Sequence, residues 1–149
     1  VAPFVAYTNK GVFLLCKTSN AGSADFQELL CSEASNAEVR PLFERVAIKA
    51  REWNVHSDIG LVVGATFPQQ LKRVRELCPE LPLLIPGIGT QGGDLAAVIR
   101  DGVDANKENV IINCSRQILY ASKGNDFAQA ARREALKLHG QINEQLTIK

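Results

Sequence analysis

The sequence predicts an α/β fold built on a parallel sheet, and three observations predict it. Four short apolar runs recur along the 149 residues, and each is followed by a helical pattern. The runs are too short for buried helices and end abruptly in small residues, as buried parallel strands do. The glycines and small polar residues gather just after the runs, at what would be the strands' C-terminal ends. Alternating strands and helices force parallel pairing with the helices outside the sheet.

The first strand is expected over residues 11–17, Gly-Val-Phe-Leu-Leu-Cys-Lys, ending at Thr18-Ser19-Asn20. A polar, glycine-containing loop follows. A helical pattern is then strongest over residues 41–53, with Leu42, Val46 and Ala50 at helical spacing and Pro41 suited to a first turn. The second strand covers residues 59–65 and ends at Thr66. Pro68 opens a helix with Leu71, Val74 and Leu77 on one face, stopped by Pro79. The third strand covers residues 81–85, and its loop leads into a short helix over residues 93–100 closed by Asp101-Gly102. The fourth strand covers residues 110–113. The last helix is expected over residues 125–145, with Phe127, Ala131, Ala135, Leu138 and Ile142 as its apolar stripe. Asn125 suits its N-cap, and Asp126 puts negative charge at the positive end of the dipole. Four such units are half of a (β/α)₈ barrel, whose complete form needs roughly 250 residues.

Composition narrows the function classes. A net charge of +1, with 46% apolar and 22% charged residues, suits one globular unit over residues 1–149. So neutral a balance predicts no nucleic-acid footprint. No run approaches the roughly 18 apolar residues of a membrane span, and the first residues lack the basic region of a signal peptide. The chain has no methionine, and Val1 reads as a boundary within a longer protein. Cys16, Cys31, Cys78 and Cys114 are widely spaced, without the close pairs a zinc site or redox motif needs. They read as reduced, structural thiols of a reducing compartment.

The functional signal lies in Leu83-Leu84-Ile85-Pro86-Gly87-Ile88-Gly89-Thr90-Gln91-Gly92-Gly93-Asp94, followed by Val110-Ile111-Ile112-Asn113-Cys114-Ser115-Arg116. Glycines let the backbone approach a ligand with its N–H groups exposed, and an arginine offers a planar fork to phosphate oxygens. Two adjacent strand ends with these parts make a phosphate-binding corner. The run also matches the dinucleotide pattern G-x-G-x-x-G, but no acidic residue follows the next strand to hold a ribose. An NADP-binding module with Arg116 on the 2′-phosphate therefore stays open, as do glycines that merely turn the chain. A polar Gln91 in so tight a loop, with an arginine after the next strand, favours ligand binding. Thr18, Ser19 and Asn20 read either as an ordinary turn or as hydroxyl and N–H groups aimed at a planar polar ring. His56 and His139 read as surface residues and Trp53 as core. Lys72-Arg73-Val74-Arg75 and Arg132-Arg133-Glu134 read as solvated helix faces. Lys17 is the lone lysine on a strand near the presumed active face. No nucleophile–base pair and no carboxylate pair stands at a strand end, so the residues read as able to bind but not to react.

With that corner in hand, the sequence resembles the orotidine 5′-phosphate decarboxylases, in particular their longer bacterial-like subgroup. The matching motifs are Phe13-Leu14-Leu15-Cys16-Lys17-Thr18-Ser19-Asn20, Gly60-Leu61-Val62-Val63-Gly64-Ala65-Thr66, the run from Leu84 to Asp94, and Ile111-Ile112-Asn113-Cys114-Ser115-Arg116. Their order and spacing cover essentially the whole chain. The resemblance implies a cofactor-free, metal-free (β/α)₈ TIM barrel, of which this chain is about the last four βα units. It implies decarboxylation of orotidine 5′-phosphate to UMP in pyrimidine biosynthesis, by a cytoplasmic homodimer with sites near the subunit interface. Carried across, Ser19 meets the pyrimidine edge near O4 and N3, and Pro86 begins a closing loop. Gln91 on that loop bridges the O2 region and the phosphate. Arg116 grips the phosphate, helped by the backbone N–H near Ser115. The family's catalytic Asp-x-Lys-x-x-Asp motif does not occur here and is expected upstream, in a missing N-terminal half. The reading from another class is a stand-alone half-barrel that binds nucleotide phosphates without catalysis and pairs with itself.

Overall fold

The computed structural model describes residues 1–7, 9–33, 36–56, 59–89 and 92–147. Its centre is a four-stranded parallel sheet of β1 (Val12–Lys17), β4 (Ile59–Val63), β5 (Leu83–Pro86) and β6 (Val110–Asn113), in that order. Between β1 and β4, β2 (Leu30–Glu33) and β3 (Asn36–Pro41) form a separate antiparallel pair. The helices are α1 (Ala2–Val5), α2 (Ala24–Gln27), α3 (Leu42–Trp53), α4 (Pro68–Leu77), α5 (Leu95–Gly102), α6 (Ser115–Leu119) and α7 (Phe127–Thr147). Neighbours in the sheet are neighbours among the sequence's strand–helix units, the arrangement of a partial (β/α)₈ barrel.

Alternation along the strands separates two faces. Ile59, Leu61 and Val63 of β4, with Leu83 and Ile85 of β5, are buried against the helices. Ala47 and Ala50 of α3, Leu71 and Val74 of α4, Val98 of α5 and Leu138 of α7 close this core. On the opposite face Leu15, Val62, Leu84 and Ile111 stand side by side in register. Leu15 is 62% exposed and Ile111 49% exposed, and Phe13 beside them is 43% exposed. This is the face a closed barrel turns inward, and no element among the described residues covers it. Among the described residues β1 and β6 each have a single neighbour in the sheet, so two parallel edges also stand open there.

The register slips once, between Leu15, opposite Val62, and Lys17, opposite Val63. Cys16 is the extra residue of this bulge. Strict alternation would place Lys17 on the open face with Phe13 and Leu15; the bulge puts it in phase with the buried face instead.

Several expectations need correction. Residues 30–33 and 36–40, expected as loop, belong to the β2–β3 pair, and Pro41, expected in the first turn of the helix, ends β3 instead; the sequence carries no apolar alternation to announce the pair, and Leu30 is 71% exposed. The third strand begins at Leu83 rather than 81 and runs through Pro86, and the second stops at Val63 rather than 65. Helix α5 starts after Asp94, whose carboxylate accepts from the Ala96 and Ala97 amides at 2.9 and 3.3 Å, a cap the sequence reading passed over. Helix α7 starts at Phe127, so Asp126 rather than Asn125 precedes its first turn. Phe127 is 63% exposed and Ala135 is also exposed, so the stripe narrows to Ala130, Ala131, Leu138 and Ile142. Trp53, expected in the core, is half exposed at the end of α3.

The basic run of α4 is only partly a solvated face. Arg73 pairs with Glu44 of α3, at 3.0 Å, and Arg40 reaches the same carboxylate from β3. Burial works against ionisation of Glu44, but the hydrogen bonds from Arg73 and Arg40 outweigh it and hold its carboxyl below the usual value. Arg75 is buried outright, with its guanidinium donating to five main-chain carbonyls. The four cysteines are free thiols, three of them buried, as expected. Among the described residues no helix is long and apolar enough to cross a membrane.

Candidate active site: the C-terminal ends of the strands

The candidate residues among those described lie at the C-terminal ends of the strands: Pro86 is the last residue of β5, and Ser19, Ser115 and Arg116 follow β1 and β6. Ser19 lies two residues past β1, in a segment fixed mostly through its backbone. The Gly64 N–H donates to the Lys17 carbonyl at 2.7 Å, and the Thr66 hydroxyl donates to the Ser19 carbonyl at 3.3 Å. The Thr18 N–H donates to Gln27 Oε1 at 2.9 Å, while the Gln27 amide donates back to the Thr18 hydroxyl at 3.1 Å. The Ser19 hydroxyl reaches the Pro86 carbonyl at 3.4 Å, a long contact that leaves its proton available to a better acceptor.

Ser19 can lean across the end of β4 because residue 64 is glycine. A Cβ there would collide with the Ser19 hydroxyl and stand 2.7 Å from its backbone nitrogen. Ser19 at the end of β1 thus meets Pro86 at the end of β5, two strands away in the sheet. The sequence reading singled out Ser19 and Pro86 but missed Gly64; a glycine breaking the run after Val62-Val63 was the available signal.

Pro86 stands opposite Asn113, the last pair of the β5–β6 ladder, so the two loops that follow begin side by side. The loop after β5 turns tightly: Gly87 and Gly89 have φ of +109° and +86°, a region closed to most side chains, and Gly93 donates back to the Gly87 carbonyl at 3.1 Å. The Cys114 thiol donates to the Ile88 carbonyl at 3.4 Å, tying the loop after β6 to the loop after β5. Gln117 backs the same contact and donates to Glu134 of α7 at 2.9 Å.

After β6 the chain enters α6, a short helix the sequence reading did not anticipate, and Ser115 and Arg116 open it. The Ser115 hydroxyl donates to Asn113 Oδ1 at 2.9 Å. Arg116 is exposed, and its guanidinium has no acceptor among the described residues. The arginine is therefore available to an anion that arrives from solvent at this corner. Gln91 lies outside the described residues, and so does Thr90.

The buried groups nearby do not offer a nucleophile. Burial foremost, with Cys78 adding to it, pushes the Cys16 thiol up to about 12, so it stays protonated and inert. Lys17 is fully buried and engaged, its ammonium donating to Ser23 Oγ at 3.0 Å and pairing with Glu28 at 2.9 Å. His56 and His139 are exposed, away from any such cluster. Among the described residues no three His, Cys, Asp or Glu side chains come together as metal ligands would. A pocket of about 400 Å³ opens between α5 and the end of α7, beside Ile99, Arg100 and Leu146, away from the strand ends. What the corner can do is bind: a cation beside a glycine-rich turn, with a hydroxyl across β4.

Comparison with known proteins agrees in sequence and in shape. Residues 2–133 match the model of the family described as orotidine 5'-phosphate decarboxylase / HUMPS. An orotidine 5'-phosphate decarboxylase of Cellvibrio japonicus is 49% identical over 144 residues, spanning 96% of this chain and 50% of that protein. One of Aromatoleum aromaticum is 53% identical, spanning 96% of this chain and 51% of its own length. Among solved structures, Leishmania donovani UMP synthase superposes with a TM-score of 0.85 at 42% identity, covering 99% of this chain and 30% of that one. Leishmania donovani OMP decarboxylase gives 0.78 at 39% identity, covering 98% and 52%. The chain spans about half the length of the curated relatives it matches.

Proposed function

The chain belongs to the orotidine 5'-phosphate decarboxylase / HUMPS family, and from that premise we propose that it is the C-terminal half of an orotidine 5′-phosphate decarboxylase barrel, supplying the phosphate grip and the pyrimidine-edge contact. The observation that carries the reading is the corner itself. An exposed arginine with no acceptor among the described residues opens the segment after β6, and the strand beside it runs into a glycine turn tied back through Cys114.

In this reading Arg116 forms charge-assisted hydrogen bonds to the phosphate of orotidine 5′-phosphate, with the backbone N–H near Ser115 assisting. Ser19 donates to or accepts from the ring edge near O4 and N3. Pro86 begins the loop that closes over the nucleotide, and Gln91 on that loop bridges the O2 region and the phosphate. The phosphate is remote from the carbon that loses CO₂, so its binding energy works by closing the loop and assembling the reactive geometry. Energy used that way appears in turnover as well as in affinity.

The groups that stress the carboxylate and protonate the carbanion come from outside this chain, in the upstream half, which also covers the open row of Leu15, Val62, Leu84 and Ile111 and pairs with the β1 and β6 edges. The working unit is a homodimer. The test is conversion of orotidine 5′-phosphate by the protein as its gene encodes it. Release of CO₂ matched by UMP is expected from a product that includes the upstream half, while residues 1–149 alone bind nucleotide without turnover. A longer gene product that leaves the substrate intact would refute the reading.

A further inference from the structure

We propose that Lys17 is a positioning residue for Ser19, its buried ammonium clamping the segment that presents the Ser19 hydroxyl to the nucleotide. The inference rests on the reading above that Ser19 faces the pyrimidine edge.

A buried lysine is costly unless it is paired, and an aliphatic side chain of similar volume would fill the same space without that cost. Lys17 is 0% exposed and its charge is used in three directions. It donates to Ser23 Oγ at 3.0 Å in the turn after β1 and pairs with Glu28 at 2.9 Å just past α2. Its ammonium also lies 4.5 Å from the centroid of the Phe67 ring, in the loop after β4. The end of β1 is thereby fastened to the two loops that flank Ser19.

The bulge gives this clamp its purpose. Cys16 is the inserted residue, and the slip puts Lys17 opposite Val63 rather than in phase with the open face. Bulges at the rims of barrels re-aim the side chains that follow. Two residues on, Ser19 is held through its carbonyl by Thr66, while its hydroxyl makes only the long contact to Pro86. Its direction is thus set by the backbone, which Thr66 holds at Ser19 itself and which Lys17 and its partners fasten two residues upstream.

The test is a double-substitution cycle read as UMP affinity by calorimetry, in the protein as its gene encodes it. Ser19→Ala is expected to weaken UMP by about tenfold, the size of one hydrogen bond. Lys17→Met keeps the aliphatic stem and leaves Glu28, 40% exposed, to rehydrate; it is expected to weaken UMP by a similar or smaller factor. With both changes the affinity should be that of Ser19→Ala alone, within about twofold, because Lys17 acts through Ser19. A double variant weaker by the product of the two factors would overturn the inference, since that is what a merely structural lysine gives. If Lys17→Met does not fold, Ser23→Ala carries the same cycle by removing one acceptor of the ammonium while keeping its charge, and additivity there overturns the inference equally. Failure of the underlying reading is distinguishable: the unsubstituted protein then ignores UMP, or Ser19→Ala leaves its affinity unchanged.

Discussion

Replacing Arg116 with alanine is expected to lower kcat/KM for orotidine 5′-phosphate by roughly 10- to 150-fold, the equivalent of losing about 1.5–3 kcal/mol of charge-assisted hydrogen bonding. The loss should fall on kcat as well as KM, because phosphate binding closes the loop that completes the site. Affinity for UMP should fall by a similar factor, while affinity for uridine, which lacks the phosphate, should stay unchanged. The structure makes the variant easy to interpret. Arg116 is exposed and has no acceptor among the described residues, so its removal strands no buried partner and should leave the fold intact. An unchanged kcat/KM would remove the phosphate assignment.

Replacing Arg75 with alanine is expected to cost stability on the order of 3–5 kcal/mol without touching nucleotide affinity. Its Nε donates to the Gly102 carbonyl at 2.8 Å, Nη1 donates to Cys78, Pro79 and Leu81 at 3.1, 3.1 and 2.9 Å, and Nη2 donates to Asn109 at 3.0 Å. Leu81 leads into β5 and Asn109 into β6, so one guanidinium holds the N-terminal ends of two neighbouring strands. Alanine would leave several of these carbonyls buried and unpaired, where water cannot reach them at low cost. The effect is read as a lower urea midpoint at unchanged slope. A loss under about 1 kcal/mol would mean the carbonyls find water readily. The opposite placement of Arg75 and Arg116, one before the strands and one after them, predicts this separation of stability from binding.

Arg75 also marks where the sequence stopped being legible. In Lys72-Arg73-Val74-Arg75 nothing in the spacing distinguishes Arg73, which stays partly exposed while pairing with Glu44, from Arg75, which turns inward. That difference depends on carbonyls brought together by strands far apart in sequence. The four sheet strands and the three long helices α3, α4 and α7 were legible because their apolar periodicity is strong. The β2–β3 pair was not, since Leu30 and Val39 remain exposed and no core imposed a pattern on it.

The site was legible in its residue types and less so in its arrangement. Ser19, Ser115 and Arg116 follow strand ends, as expected, whereas Pro86, expected just past the third strand, is its last residue, and Ser19 meets it directly. The short helix α6 was missed because five residues are too few to show a period. Lys17 stood in the sequence as a lysine near the active face; the bulge at Cys16, which no local pattern announces, turns it into a buried strut.

The central claim is that the ends of β5 and β6 form one corner for a nucleotide's phosphate, and a crystal structure of the UMP complex tests it most directly. The account predicts the phosphate within hydrogen-bond distance of the Arg116 guanidinium, between the loops that follow the two strands, with the ring edge turned toward Ser19. A phosphate bound elsewhere, with Arg116 still facing solvent, would contradict it.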